Sequence, residues 1–236
     1  METAAHTIEM LRRASPFQDV SATDLEALLP SFHLLHHDTG GVVWHPGDDA
    51  ADLWFVLDGQ VQAVVTSEEG VELVPAVFGP GESFGHPALF APRTQRVVSV
   101  IALVPTDLAR LPREPLLRFL ETHPAAMRRM LESMSLLLLT MSSQFSQVAF
   151  HDVRSRVALQ LLKLADEYGQ PVDGGGLRIP FRLSQATWAG MVATSRESAN
   201  RALSEFVASG EIKQQAGHII VMDRDRLRRV LGRRRQ

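Results

Sequence analysis

An α+β chain in three parts is predicted: an N-terminal antiparallel β-barrel or jelly roll, a long central helix, and a C-terminal unit of short helices closed by a β-hairpin. Three observations carry that prediction. Short β-prone segments punctuated by glycine and proline fill the stretch from Val42 to Leu111. A heptad of apolar residues then runs from Met127 to Val148. Beyond residue 150 the pattern turns to amphipathic helix with small-residue breaks, and the balance of charge reverses.

In the N-terminal part, an opening helix is expected from Thr7 to about Ala14. A second follows Ser21, whose hydroxyl stands three residues before Asp24 in the manner of a capping box. Val42-Val43-Trp44, Asp52 to Leu57, Val61 to Thr66, Val71 to Phe78 and Arg96 to Val104 are the candidate strands. His45-Pro46-Gly47-Asp48, Asp58-Gly59, Glu69-Gly70 and Pro80-Gly81 supply the turns between them. Many short strands joined this way fit an antiparallel barrel, not a parallel α/β sheet. Trp44, Trp54 and Phe55 read as core residues in preference to a nucleotide-stacking platform. His33, His36, His37 and His45 match no common zinc spacing, which leaves them surface or barrel-packing roles.

The central helix starts near Pro124, since proline suits the first helical position, and continues to about Val148. Met127, Leu131, Met134, Leu138, Met141, Phe145 and Val148 recur at alternating steps of four and three. Leu136, Leu137 and Leu139 add apolar surface on other faces, so one face can pack on the barrel while the seam pairs with a second subunit. A homodimer through Met127, Leu131, Met134, Leu138, Met141 and Phe145 is therefore expected. The expected division is a sensory domain over 1–122, a dimerisation helix over 123–149, and a third domain over 150–236, joined at Phe150-His151-Asp152-Val153.

Composition narrows the function classes. The 236 residues are 45% hydrophobic and 22% charged, as in a folded, soluble protein. There is no cysteine, which excludes disulfides, thiolate zinc sites, a cysteine nucleophile and cysteine-ligated iron–sulfur clusters, and agrees with a cytoplasmic setting. The N-terminus lacks a signal-peptide pattern, and the apolar patch from Met134 to Met141 is far shorter than the roughly 20 residues of a membrane span. Neither a Walker loop, a dinucleotide fingerprint nor a catalytic triad is present, so no enzyme is expected. Residues 1–149 carry 9 Lys and Arg against 18 Asp and Glu, whereas residues 150–236 carry 15 against 9. A polyanionic partner would meet the C-terminal part alone.

That part reads as a winged helix-turn-helix. Val153, Val157, Leu161, Leu164 and Ala165 form an amphipathic helix, and Asp173 to Gly176 a loop before a short strand at Leu177-Arg178-Ile179. Ser184 is expected to cap a helix from Ala186 to Val192. After a break at Ala193 a second helix runs from about Ser195 to Ser209, started by Thr194 with Glu197 or by Ser195. Its inward set is Ala199, Ala202, Leu203, Phe206 and Val207, which leaves Arg196, Glu197, Asn200 and Arg201 outward. An arginine fork can donate twice to guanine, and a carboxylate can accept from cytosine N4. A helical ion-pair cluster is the other reading of the same charges. Ile212 and the segment Gly217 to Val221 supply a wing, with Ser184, Arg178, Arg182 and Lys213 as candidate phosphate contacts. Arg224 to Arg235 adds a short helix with a basic tail.

Together these residues resemble the Crp-Fnr family of bacterial transcription regulators. Thr194-Ser195-Arg196-Glu197-Ser198-Ala199-Asn200-Arg201 is similar to that family's recognition-helix start, S-R-E-T-V followed by a small or polar residue and arginine. The likeness extends over the barrel, the long helix, the Ala149-Phe150-His151-Asp152-Val153 joint, the helix-turn-helix and the wing. It implies a homodimeric regulator that binds double-stranded DNA, with RNA polymerase as a further partner. It also implies that Arg196, Glu197 and Arg201 read a palindromic half-site related to TGTGA and that Ser198 contacts phosphate. Asn200 stands where some relatives carry serine or glycine, which implies an altered operator.

The barrel resembles a cyclic nucleotide-binding domain, with Gly47, Gly59, Gly81 and Gly85 in its turn pattern and Arg96 as its phosphate-binding arginine. His86 departs from the family's glutamate and Val97 from its serine, while Met141 and Ser142 match two positions that approach adenine. The implied effector site is Gly85, His86, Arg96, Val97, Met141 and Ser142, for a cyclic nucleotide or another anion. Regulation without a ligand stays open, as does a nucleotide sensor that docks on a protein partner.

Overall fold

The computed structural model describes residues 2–68, 72–90 and 95–231. The expected Glu69-Gly70 turn, the strand start at Val71 and the basic tail beyond Leu231 lie outside the described residues. Residue contacts divide the chain into two units, 1–65 with 76–140, and 66–75 with 141–236.

The first unit opens with α1 (Glu2–Arg13) and α2 (Ala22–Leu28). Eight strands follow: β1 (His33–His37), β2 (Val42–Trp44), β3 (Asp52–Asp58), β4 (Val61–Thr66), β5 (Glu72–Phe78), β6 (Ser83–Phe84), β7 (Ser99–Ala102) and β8 (Thr106–Pro112). The one-turn α3 (His86–Leu89) sits between β6 and β7, and α4 (Arg113–Thr122) and α5 (Pro124–Phe150) come after the last strand. The sheets run β1-β8-β3-β6 and β2-β7-β4-β5, the strand order of a jelly roll.

β3 shows why this sequence folds this way. Strand side chains alternate between faces, and here both faces are apolar. Trp54 and Val56 turn inward to Trp44, Phe84, Val100 and Leu108. Leu53, Phe55 and Leu57 turn outward to a second core with Leu11, Phe17, Leu25, Leu116 and Leu120 from the helices. Phe17 stacks on Phe55 at 5.2 Å. Ser21 caps α2 as expected, its Oγ accepting from the Asp24 N–H at 3.1 Å.

The sequence pattern missed β1, β6, β8 and α4. β1 is written HLLHH, where histidines blur the alternation, and β8 places Asp107 and Arg110 among its apolar residues. The strand expected over Arg96–Val104 contracts to β7. Arg96 is diverted because its backbone N–H and C=O bond Asp48 and Gly47 in a turn.

α5 has 27 residues, about 40 Å of helix. Ala126 and Met130 are buried in the first unit's core, and Met127 packs partly buried beside them. Leu131, Leu138, Met141, Phe145 and Val148 are each more than half exposed.

The second unit contains α6 (Val153–Tyr168), β9 (Gln170–Pro171), β10 (Leu177–Arg178), α7 (Gln185–Met191), α8 (Arg196–Ala208), β11 (Ile212–Gln215), β12 (His218–Val221) and α9 (Arg224–Leu231). Its sheet runs β11-β12-β10-β9. Asp152 caps α6 through the Ser155 N–H at 2.8 Å. Val157, Leu161, Leu164, Trp188, Leu203, Phe206 and Leu227 are buried. Val207, expected inward, is 39% exposed, because one 100° step beyond the fully buried Phe206 carries it to the flank. Residues 66–75 belong here: Gln144 donates to the Pro75 carbonyl at 2.6 Å, and a Cβ on Gly190 would come 2.9 Å from Val74 Cγ2. Among the described residues no helix is long and apolar enough to cross a membrane.

Candidate nucleic-acid interface

Two capped helices and a hairpin build this surface. Ser184 Oγ accepts from the Thr187 N–H at 3.0 Å and starts α7. Ala193, at φ 50°, reverses the chain after α7, and the Thr194 N–H donates back to Ala189 at 3.0 Å. Of the two caps offered by the sequence, Ser195 takes the role: its Oγ accepts from the Ser198 N–H at 3.2 Å. Glu197 therefore lies in the first turn of α8, where a carboxylate faces the positive end of the helix.

Arg196, Glu197 and Arg201 are exposed, whereas Asn200 and Ser198 are half-buried. Among the described residues no ion pair engages Arg196, Glu197 or Arg201; the nearest such pair on α8, Arg154 with Glu205 at 3.5 Å, lies nearer its other end. The cluster of mutual ion pairs that the charges alone also allowed does not form. Three charged groups are left with their donors and acceptor directed to solvent at one helix end.

The wing is the β11–β12 hairpin. Ala216 at φ 49° and Gly217 at φ 80° make its two-residue turn, both left-handed as a type I′ turn requires. Lys213, Arg178 and Arg182 are exposed. Arg182 runs beside the turn, so that a Cβ on Gly217 would stand 3.1 Å from its Cδ, and Arg178 donates to Gln170 Oε1 at 3.1 Å. A groove between α8 and the wing brings Gln185, Gln214 and His218 together with Asn200. Those three escaped the sequence reading because amides and imidazoles at strand ends and helix starts look like ordinary solvated positions.

Arg156 was also missed. Its Nη1 donates to the carbonyls of His151 at 3.4 Å and Val148 at 3.5 Å, and its Nη2 to Ala193 at 3.2 Å. One side chain thus ties the end of α5 to the turn that precedes α8. Burial pulls its pKa below the usual arginine range, and Asp152 opposes that shift.

The implied effector residues have different surroundings. The Arg96 guanidinium is buried. Its Nη1 donates to Gly85 at 3.4 Å, and its Nη2 to the Asp52 carbonyl at 3.1 Å and to the Asp52 carboxylate. Its Cζ lies 4.0 Å over the Trp44 ring. Asp52 accepts in addition from Trp54 Nε1 at 2.6 Å, with Arg110 Nε 3.6 Å away. Desolvation lowers the Arg96 pKa, while Asp52, Asp49 and Asp48 act to raise it. Gly85 is required at φ 95°, since a Cβ there would meet Arg96 Nη1 at 2.8 Å.

His86 is buried with Nε2 3.0 Å from Ser83 Oγ, and burial pushes its pKa down to about 4, so it is neutral at pH 7. Val97 is 76% exposed. Met141 and Ser142 are exposed on α5, in the second unit. These residues fit a cyclic nucleotide poorly: His86 carries no charge for a ribose, Val97 has no hydroxyl for a phosphate, and Arg96 already holds an anion. His33, His36 and His37 lie on β1 and His45 follows β2; Asp107, 2.6 Å from His36 Nδ1, holds the His36 pKa above the usual range. Among the described residues no cluster of His, Asp and Glu could hold a metal.

A family model of the cyclic nucleotide-binding domain matches residues 34–123, and one of the Crp-like helix-turn-helix domain matches residues 155–230. The chain belongs to the Crp-Fnr family. It is similar to the CRP-like cAMP-activated global transcriptional regulator of Mycobacterium tuberculosis, 28% identical over 94% of this chain and 98% of that protein. The CRP-like protein Clp of Xanthomonas euvesicatoria is 28% identical, over 89% and 93%. Among solved structures, the c-di-GMP-responsive global regulator CLP of Xanthomonas campestris aligns with a TM-score of 0.75 at 27% identity, over 86% of this chain and all of that one. As a Crp-Fnr member the protein is a DNA-binding transcription regulator, with a cyclic nucleotide-binding-like barrel and a C-terminal helix-turn-helix.

Proposed function

We propose that this Crp-Fnr regulator works as a homodimer on a palindromic operator whose half-sites are related to TGTGA, and that it recruits or obstructs RNA polymerase there. α8 enters the major groove, with Arg196, Glu197, Asn200 and Arg201 on base edges. Ser184, Ser198, Lys213, Arg178 and Arg182 hold the phosphates on either side. The observation that carries this reading is the capped start of α8, where Arg196, Glu197 and Arg201 are solvent-exposed and, among the described residues, in no ion pair. The apolar row Leu131, Leu138, Met141 and Phe145 on α5 supports pairing of two copies. Two half-sites about one helical turn apart follow from that symmetry.

Selection of bound duplexes from random DNA tests the proposal. It should return an inverted repeat, and Arg196→Ala or Arg201→Ala should abolish the enrichment. Recovery of no repeat, with both variants binding DNA as the parent does, would move the C-terminal unit to a docking role on another protein.

Control by a small anion is a second element of the reading. Two relatives carry names that tie them to two different nucleotides, and Arg96 retains the charge that an anionic effector needs. The poor fit of His86 and Val97 supports the other branch, a regulator that binds DNA without a cyclic nucleotide.

A further inference from the structure

We propose that Asp52 is a built-in counter-ion that fills the anion site of the barrel, so that the charge of Arg96 is neutralised with no ligand present. The inference deepens the ligand-free branch just described and rests on it. A guanidinium out of water needs an anion and hydrogen-bond acceptors at fixed positions. Asp52 supplies both, since its main-chain carbonyl and its carboxylate receive the same Nη2. Each partner is held independently of the other. Trp54 Nε1 fixes the carboxylate, and the turn at Gly47 and Asp48 fixes the Arg96 backbone. Trp44 closes the cation's face.

An incoming phosphate would have to displace Asp52 and leave a mostly buried carboxylate whose remaining partners, among the described residues, are Trp54 and the more distant Arg110. Separating a buried pair in this way weakens binding on the order of a hundred- to a thousandfold. The field is also unfavourable, because Asp48 and Asp49 act on Arg96 together with Asp52. Asp52 contacts the cation that a ligand phosphate would have to share, and the exposed Asp48 and Asp49 add negative charge on the same side of the balance. Arg96 Nε is buried without a hydrogen-bond partner among the described residues, which leaves one donor over for an anion.

The test uses the full chain without DNA. Trp44 and Trp54 touch the pair, so tryptophan emission reports on it during titration with cyclic AMP, cyclic GMP or inorganic phosphate. The parent protein should not respond up to about 1 mM, whereas Asp52→Asn and Asp52→Ala should bind at least one of the three anions about a hundredfold more tightly. Adding Arg96→Met to either variant should remove that response. Micromolar, Arg96-dependent binding by the parent protein overturns the proposal, and so does a folded Asp52→Asn variant that stays silent. Circular dichroism establishes the fold of each variant, and the parent titration decides alone if Asp52→Ala does not fold. With no DNA in the cuvette, this result and the operator selection can fail separately.

Discussion

Arg196 and Lys213 differ in what their removal should do. A bidentate arginine on a guanine edge contributes discrimination, so Arg196→Ala should weaken the best operator by about 1–3 kcal/mol and flatten preference at one base pair. Lys213 lies on the wing, where a phosphate contact has no sequence to read. Lys213→Ala should weaken all duplexes alike and reduce the slope of log affinity against log salt by about 1. Salt titrations on matched and scrambled duplexes separate the two outcomes. His86 gives a prediction of another kind. Unfolded, it gains its proton near 6.5; folded, it stays neutral down to about 4. Between those values the unfolded chain holds the extra proton, so stability falls as the pH drops, by about 3 kcal/mol at the bottom of the window. His86→Gln should flatten that dependence, as urea midpoints at about pH 4.5 and pH 7 will show.

Arg156 belongs to the scale of elements, because it joins three carbonyls from the end of α5 and the turn before α8. Arg156→Met keeps the stem and removes the donors. It should lower stability by about 2 kcal/mol and loosen the placement of α8, so that specific DNA binding falls more than non-specific binding. Thermal melts with paired binding isotherms check this. The same scale shows what was legible in the sequence. Ser21 and Ser184 announced their helices, because a capping hydroxyl acts through residues two or three positions away. The start of α5 at Pro124 and the heptad after it were equally plain. β8 was not, because its neighbours β1 and β3 come from distant sequence and only their pairing makes Thr106–Pro112 a strand. At the candidate site, Arg196, Glu197 and Arg201 stood out as local pattern. Arg156 and Asp52 did not, since their partners lie 37 and 44 residues away at Ala193 and Arg96.

For the molecule as a whole, the exposed row on α5 and the lopsided charge act together. Leu138 and Phe145 are 68% and 77% exposed, more apolar surface than an isolated helix face keeps in water without a partner. Leu138→Glu or Phe145→Glu should shift sedimentation from dimer towards monomer. Either should also cost far more affinity for a full inverted repeat than for a single half-site, since the second contact ceases to be intramolecular. A dimer unchanged by both substitutions would remove α5 as the seam. The acidic first 149 residues and the basic remainder give each subunit a polar orientation towards a polyanion, one that salt should weaken.

Two alanines bracket α8, Ala193 before it and Ala216 after it, and each holds a positive φ that a Cβ resists. The cost is on the order of 1–2 kcal/mol per residue. That is a reserve from which a sturdier protein could be engineered: Ala193→Gly and Ala216→Asn relieve it at positions where the chain already bends that way. Slower amide exchange through the recognition helix and wing, with the operator sequence unchanged, would be the mark of success.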